Sequence, residues 1–133
     1  MPPPIDVITR DGSSYGEGPP LRIGDIVLDA ANYRVTRGIR EVRIGPIEFR
    51  LLAFMMQNAG RTLTREQLRL AGWPGGSAIN ARTVDVYVGR LRRALNRGRD
   101  RDPIGTVRYA GYVFALNLDA REKGGLHGPF GAR

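Results

Sequence analysis

From residue 21 the apolar positions fall two apart. Leu21 and Ile23, Ile26 and Leu28, Tyr33 and Val35, and Val42 and Ile44 alternate with polar or small residues, the period of strands with one buried face. Gly24-Asp25, Ala31-Asn32 and Arg37-Gly38 separate the runs with turn-forming residues. A small antiparallel meander is predicted. At Gly45-Pro46 the period changes. Pro46 suits a first helical position, and Glu48 lies where the helix dipole favours an acid. Ile47, Leu51, Leu52, Met55 and Met56 recur at helical spacing, and Phe49 and Phe54 widen the apolar surface. This helix is therefore expected at the centre of the core, ending at Asn58-Ala59-Gly60.

Two more helices follow. Thr64-Arg-Glu-Gln67 fits a capping box, and Leu63 with Leu68 fits a hydrophobic staple; this helix ends at Gly72. Gly72-Trp-Pro-Gly-Gly-Ser77 reads as a loop. Asn80 is a good N-cap for a third helix running to about Leu95, whose Val84, Val88, Leu91 and Leu95 form one inward stripe. Beyond the loop Arg97–Asp102, Ile104–Arg108 and Tyr112–Leu116 read as two strands joined by Tyr109-Ala110-Gly111, a terminal hairpin with Arg108 at its tip.

Composition marks the boundaries. Pro and Gly supply eight of residues 1–20 and five of residues 117–133. These are expected as a flexible N-terminal extension and a flexible Gly-rich tail around one domain, 21–116. Ile5–Thr9 alternates like an edge strand, but its setting fits a disordered linker better. No internal repeat is evident.

Charge then selects partners. The 133 residues carry 21 Lys and Arg against 13 Asp and Glu, a net charge of +8. Lys123 is the one lysine, an imbalance to which Arg-favouring codons contribute. Residues 81–113 alone hold eight Arg against three Asp. Such a balance favours polyanions, nucleic acid before anionic membrane. On the third helix Arg82, Thr83, Val86, Tyr87, Arg90 and Arg93 point away from the apolar stripe. Arg82, Val86 and Arg90 lie four apart along one side. Arg can bridge guanine O6 and N7, Thr can reach most base edges, and Val can pack on a thymine methyl. Arg108 on a narrow tip suits the focused negative potential of a minor groove.

Enzyme chemistry finds no support. Cysteine is absent and His127 is the lone histidine, so neither a metal site nor a thiol nucleophile is expected, and no cofactor. Asp100/Asp102 and Asp6/Asp11 lack a catalytic partner. Gly72–Gly76 lacks a phosphate-loop pattern. Trp73 reads on its own as a packing anchor. No run of about 18 apolar residues suggests a membrane span, and Met-Pro-Pro-Pro lacks a signal-peptide pattern. A cytoplasmic protein is expected.

Five segments in order carry a family resemblance: Ile44-Gly-Pro-Ile-Glu-Phe-Arg-Leu-Leu52, Gly60-Arg-Thr-Leu-Thr-Arg-Glu-Gln-Leu68, Trp73, Ala81-Arg-Thr-Val-Asp-Val-Tyr-Val-Gly-Arg-Leu-Arg-Arg-Ala-Leu95, and Thr106-Val-Arg-Tyr-Ala-Gly-Tyr-Val-Phe114. Together they resemble the winged-helix effector domain of OmpR/PhoB-type response regulators, nearest the PhoB branch, over roughly 21–116. The resemblance implies an α+β winged helix-turn-helix: an N-terminal four-stranded antiparallel sheet, a three-helix bundle and a C-terminal β-hairpin wing. It implies sequence-specific binding of double-stranded DNA by a transcriptional regulator, often as head-to-tail pairs on direct repeats. It assigns Trp73, Arg82, Tyr87, Arg92, Thr106 and Tyr112 to the phosphate backbone, Thr83, Val86 and Arg90 to bases, and Arg108 to the minor groove. Arg93, outward by periodicity, has no such assignment.

Three departures qualify the resemblance. Only twenty residues precede the core, too few for a receiver domain, so either a stand-alone regulator or a piece of a longer one is expected. Relatives touch RNA polymerase through an often acidic loop between helices two and three. Here Gly72–Ala81 has no acid, and Glu66 is the remaining candidate for contact with the sigma subunit. Gly89 stands where a basic residue is usual, at a cost in helix propensity of roughly 1 kcal/mol, and leaves room for another backbone to approach. An alternative is therefore an adaptor that keeps the winged fold and acts on the transcription machinery without its own sequence readout. A nucleoid-type binder driven by charge alone is a third.

Overall fold

The structure is a computed structural model, and it describes residues 18–75 and 78–115. Ile5–Thr9, read above as a linker rather than an edge strand, His127 and both terminal segments beyond these bounds lie outside the described residues. Four short strands come first: β1 Leu21–Ile23, β2 Ile26–Asp29, β3 Arg34–Arg37 and β4 Arg40–Val42. They form an antiparallel meander in chain order. The register places Leu28 opposite both Leu21 and Val35, and Val35 opposite Val42. Partners in such a ladder share a face, so the alternation yields one apolar side. Tyr33, expected on a strand, sits in the preceding turn with φ 54°. Its ring packs against Phe49 at 4.6 Å.

The same register carries a feature that alternation did not disclose. Ile26 pairs with Arg37, and Arg37 with Arg40, so two arginines end the inner face. Like charges opposite each other on a sheet destabilise it unless anions intervene. Here they do. Arg37 is 5% exposed. Its Nε donates to Asp25, its Nη1 to the Leu95 carbonyl and Asn96 Oδ1, and its Nη2 to the Arg101 carbonyl. Arg40 donates to the Leu95 carbonyl at 2.9 Å and to Asp100 at 2.8 Å. Both guanidinium groups thus meet the negative end of the third helix, satisfying its last carbonyls. The sheet is fastened to the helix bundle by this polar joint as well as by apolar packing.

Helix α1, Pro46–Gln57, buries Phe49 and every residue from Leu51 to Met56. It touches both later helices, β1 and the last strand of the chain, the central position expected of it. It stops at Gln57, before Gly60; Asn58 folds its side chain back onto the Phe54 carbonyl at 2.8 Å. Helix α2, Arg65–Gly72, opens with the predicted capping box: Thr64 Oγ1 accepts from the Gln67 amide and Gln67 Oε1 from the Thr64 amide. Arg50 Nε and Nη2 donate to the Gly72 carbonyl at its other end. Helix α3, Ala81–Leu95, is capped by Asn80 Oδ1 and buries Val84, Val88, Leu91 and Leu95.

Strands β5, Ile104–Val107, and β6, Gly111–Phe114, form the terminal hairpin; β5 starts where expected and stops one residue before Arg108, and β6 starts one residue before Tyr112 and stops at Phe114. Leu63 and Tyr112 exchange both backbone hydrogen bonds, at 2.7 and 2.9 Å, so the wing is stitched to the segment that starts α2. Gly111 permits this. Its φ is 148°, and a Cβ there would overlap the Leu63 carbonyl oxygen. The order sheet, three helices, hairpin is the expected winged helix-turn-helix.

Candidate nucleic-acid interface

The outer face of α3 follows from its inner one. Once Val84, Val88, Leu91 and Leu95 are buried, Arg82, Val86, Arg90 and Arg93 are exposed, with Thr83 and Tyr87 half-buried beside them. Val86 is 46% exposed, an apolar side chain set between Arg82 and Arg90. Fifteen residues at 1.5 Å rise make a rod of about 22 Å, able to lie in a major groove. Thr83 is held by the N-cap, its hydroxyl donating to Asn80 Oδ1 at 3.2 Å. Arg90 lies over the Tyr87 ring, 4.6 Å from its centroid. Tyr87 in turn meets Trp73 edge-on at 5.3 Å. Trp73 therefore both packs and links the end of α2 to the exposed side of α3.

Two sequence-singled residues have protein partners. Tyr112 is 5% exposed, and its hydroxyl donates to Asp85 Oδ1 at 2.7 Å. Arg65 Nε donates to the same oxygen at 2.7 Å. Burial, then the hydrogen bond to Asp85, raises the Tyr112 pKa, so its hydroxyl keeps its proton and stays a donor. Arg92 leans onto the wing. Its Nη2 donates to the Ile104 carbonyl at 2.6 Å and to Thr106 Oγ1 at 3.0 Å, and its Nε lies 3.3 Å from Asp102. Periodicity marks the side of α3 from which Arg92 leaves, not that so long a side chain reaches a neighbouring strand. Both residues brace the wing against α3.

Arg82, Arg90 and Arg93 on α3 and Arg108 on the wing form no ion pair among the described residues. Thr106 is exposed on β5, and Arg108 is exposed at the tip of the hairpin, 5.3 Å from the Tyr109 ring. Among the described residues no backbone comes close to Gly89: a Cβ there would meet only the far end of Arg93. Glu66 is exposed and gripped by Arg69, with Nη2 to Oε2 2.7 Å. That hydrogen bond holds its carboxyl below the usual range. No group of residues among those described could hold a metal ion, and no described helix is long and apolar enough to cross a membrane.

A family model described as transcriptional regulatory protein, C terminal, matches residues 39–114, more than half of the chain. The chain belongs to this family. Its members here are OmpR/PhoB-type DNA-binding domains. The phosphate regulon transcriptional regulatory protein PhoB of Rhizobium meliloti is 54% identical over 92 residues, 69% of this chain and 40% of that protein. The solved DNA-binding domain of Klebsiella pneumoniae RstA, in complex with the RstA box, is 29% identical with a TM-score of 0.63, covering 74% of this chain and 98% of that one. The response regulator DrrB of Thermotoga maritima, an OmpR/PhoB homologue, is 28% identical with a TM-score of 0.65, covering 73% and 44%. This chain spans about half the length of the curated relatives it matches. OmpR/PhoB-type domains are DNA-binding domains of transcription regulators, not an enzyme class.

Proposed function

We propose that this chain is a sequence-specific regulator of transcription that binds double-stranded DNA, with α3 in the major groove and the wing in the minor groove. The observation that carries this reading is the row Arg82, Val86, Arg90: two cations without ion pairs among the described residues and one exposed valine, on a helix whose other side is the core. An exposed valine between two arginines can pack on a thymine methyl while they reach base or phosphate oxygens. In this reading Thr83, Val86 and Arg90 face bases. Arg82, Tyr87, Trp73 and Thr106 face phosphate, and Arg108 enters the minor groove. Arg92 and Tyr112 contribute by fixing the angle between helix and wing, and Arg93 by nearby charge. Head-to-tail pairing on direct repeats, a cytoplasmic site of action and contact of Glu66 with the sigma subunit belong to the same proposal. An ionised, exposed carboxylate supports the last.

Replacing Arg90 by Ala tests the reading. The loss should be about 1–3 kcal/mol, confined to one base pair of the site. An equal loss on cognate and random duplexes would exclude base readout by Arg90. A chain with no preference above non-specific binding at moderate salt would instead be an adaptor, and uniform, steeply salt-sensitive binding would mark an architectural protein.

A further inference from the structure

The wing tip holds a residue that its backbone disfavours. Tyr109 has φ 63°, the left-handed region that L side chains rarely occupy. Tyr33 shares that conformation, but its ring is packed on Phe49 at 4.6 Å, so core contact offsets the strain. Tyr109 has no such compensation, since it is 93% exposed. Glycine would fit the turn better and expose no ring. One contact singles Tyr109 out: the Arg108 Cζ lies 5.3 Å from its ring centroid, within cation–π range. Beneath the pair the turn is closed by the Ala110 amide donating to the Val107 carbonyl at 2.9 Å, and by the Leu63–Tyr112 bridge behind it. The ring therefore stands on a fixed base, next to a long side chain that has no ion pair among the described residues.

We propose that Tyr109 is a positioning residue for DNA binding: its exposed ring holds the Arg108 guanidinium at the wing tip in the extended form that enters the minor groove. An arginine free to sample its rotamers loses that freedom on binding, and a platform that restricts it beforehand reduces the loss. The inference rests on the reading of Arg108 as a minor-groove residue, and the experiment separates the two.

The full 133-residue chain is titrated by fluorescence anisotropy against two duplexes of equal length, one with a central run of A·T pairs and one of G·C pairs. A·T runs narrow the minor groove and attract arginine, so the ratio of the two affinities reports the wing. Arg108→Ala should bring that ratio close to one. Tyr109→Leu should lower it about two- to five-fold, the size of an exposed cation–π contact, and Tyr109→Phe should keep it. Tyr109→Gly should lower it as Leu does while raising the unfolding temperature, which separates loss of the ring from damage to the fold. In the Arg108→Ala background Tyr109→Leu should have no further effect. A wild-type ratio in Tyr109→Leu and Tyr109→Gly, additive losses in the double variant, or loss in Tyr109→Phe would overturn the positioning role while leaving the wing reading intact. An unchanged ratio in Arg108→Ala would overturn the wing reading, and this proposal with it.

Discussion

Arg92 on α3 and Thr106 on β5 are joined by a 3.0 Å hydrogen bond, and the same guanidinium nitrogen reaches the Ile104 carbonyl at 2.6 Å. One side chain thereby couples α3 to the wing. A few residues away Tyr112 and Asp85 make a second tie between the same two elements. The relative placement of the two proposed DNA-contacting elements is thus built into the protein before any DNA is present, which is what low-cost binding requires.

Arg92→Ala should therefore act in two ways. Losing hydrogen bonds from a charged donor should cost about 1–3 kcal/mol of stability, seen as a lower unfolding temperature. Loosening the wing should weaken cognate and random duplexes alike, seen in anisotropy titrations. Arg92→Lys should restore neither stability nor affinity fully, because an ammonium cannot reproduce the fork that holds the wing.

Arg37→Lys isolates the joint between sheet and bundle. The guanidinium spans Asp25, Leu95, Asn96 and Arg101 from a buried position. A lysine retains the charge but cannot reach all four, and buried acceptors are left without donors. We expect a loss of about 2–4 kcal/mol in urea unfolding. The salt dependence of DNA binding, measured where the variant is folded, should be unchanged.

Asp100 makes stability sensitive to acid. The Arg97 backbone N–H bonded to it, with Arg37 and Arg40 nearby, holds its carboxyl below the ordinary value of 3.8. The folded state then binds fewer protons than the unfolded state, so this contribution is complete above the ordinary value. It is lost as pH falls through the lower, folded one. Comparing unfolding temperatures at pH 7 and pH 3, the drop should be smaller in Asp100→Asn than in the wild type. An equal drop would remove Asp100 from the acid response.

Gly89 should be open to substitution. A Cβ there meets only the far end of the Arg93 side chain, so Gly89→Ala should stabilise the protein by roughly 0.5–1 kcal/mol through helix propensity. Gly89→Arg should add a phosphate contact and steepen the salt dependence of binding by about one unit. Weaker binding by Gly89→Ala, despite higher stability, would show that DNA approaches this turn of the helix closely.

What was legible in the sequence was what periodicity and local capping determine. The stripe Val84, Val88, Leu91, Leu95 is buried as read, Thr64 and Gln67 close the capping box, and the hairpin follows the two late apolar runs. Boundaries shifted by a residue or two: α1 ends at Gln57, with Asn58 as its cap and the Asn58 side chain bonded to the Phe54 carbonyl. The larger omission concerns arginine. Composition counts charges but does not tell an arginine bonded within the protein from one facing solvent. Arg37, Arg40, Arg50 and Arg92 each bond a backbone carbonyl on a distant element, contacts that no local spacing encodes. Much of the Arg-rich composition thus has a structural use, since a planar fork can satisfy several carbonyls where lysine cannot. On α3 and the wing, Arg82, Arg90, Arg93 and Arg108 form no ion pair among the described residues, and these are the cations the proposal offers to DNA. Tyr109 passed unnoticed for a similar reason, because its meaning depends on a backbone angle.

The most direct test of sequence-specific recognition is selection of bound duplexes from a random-sequence pool at moderate salt, run in parallel for the intact chain and Arg90→Ala. The expected result is one enriched motif for the intact chain, with a guanine whose enrichment disappears in Arg90→Ala while the rest of the motif persists. A pool with no enriched sequence, or a motif indifferent to Arg90, would contradict readout by α3.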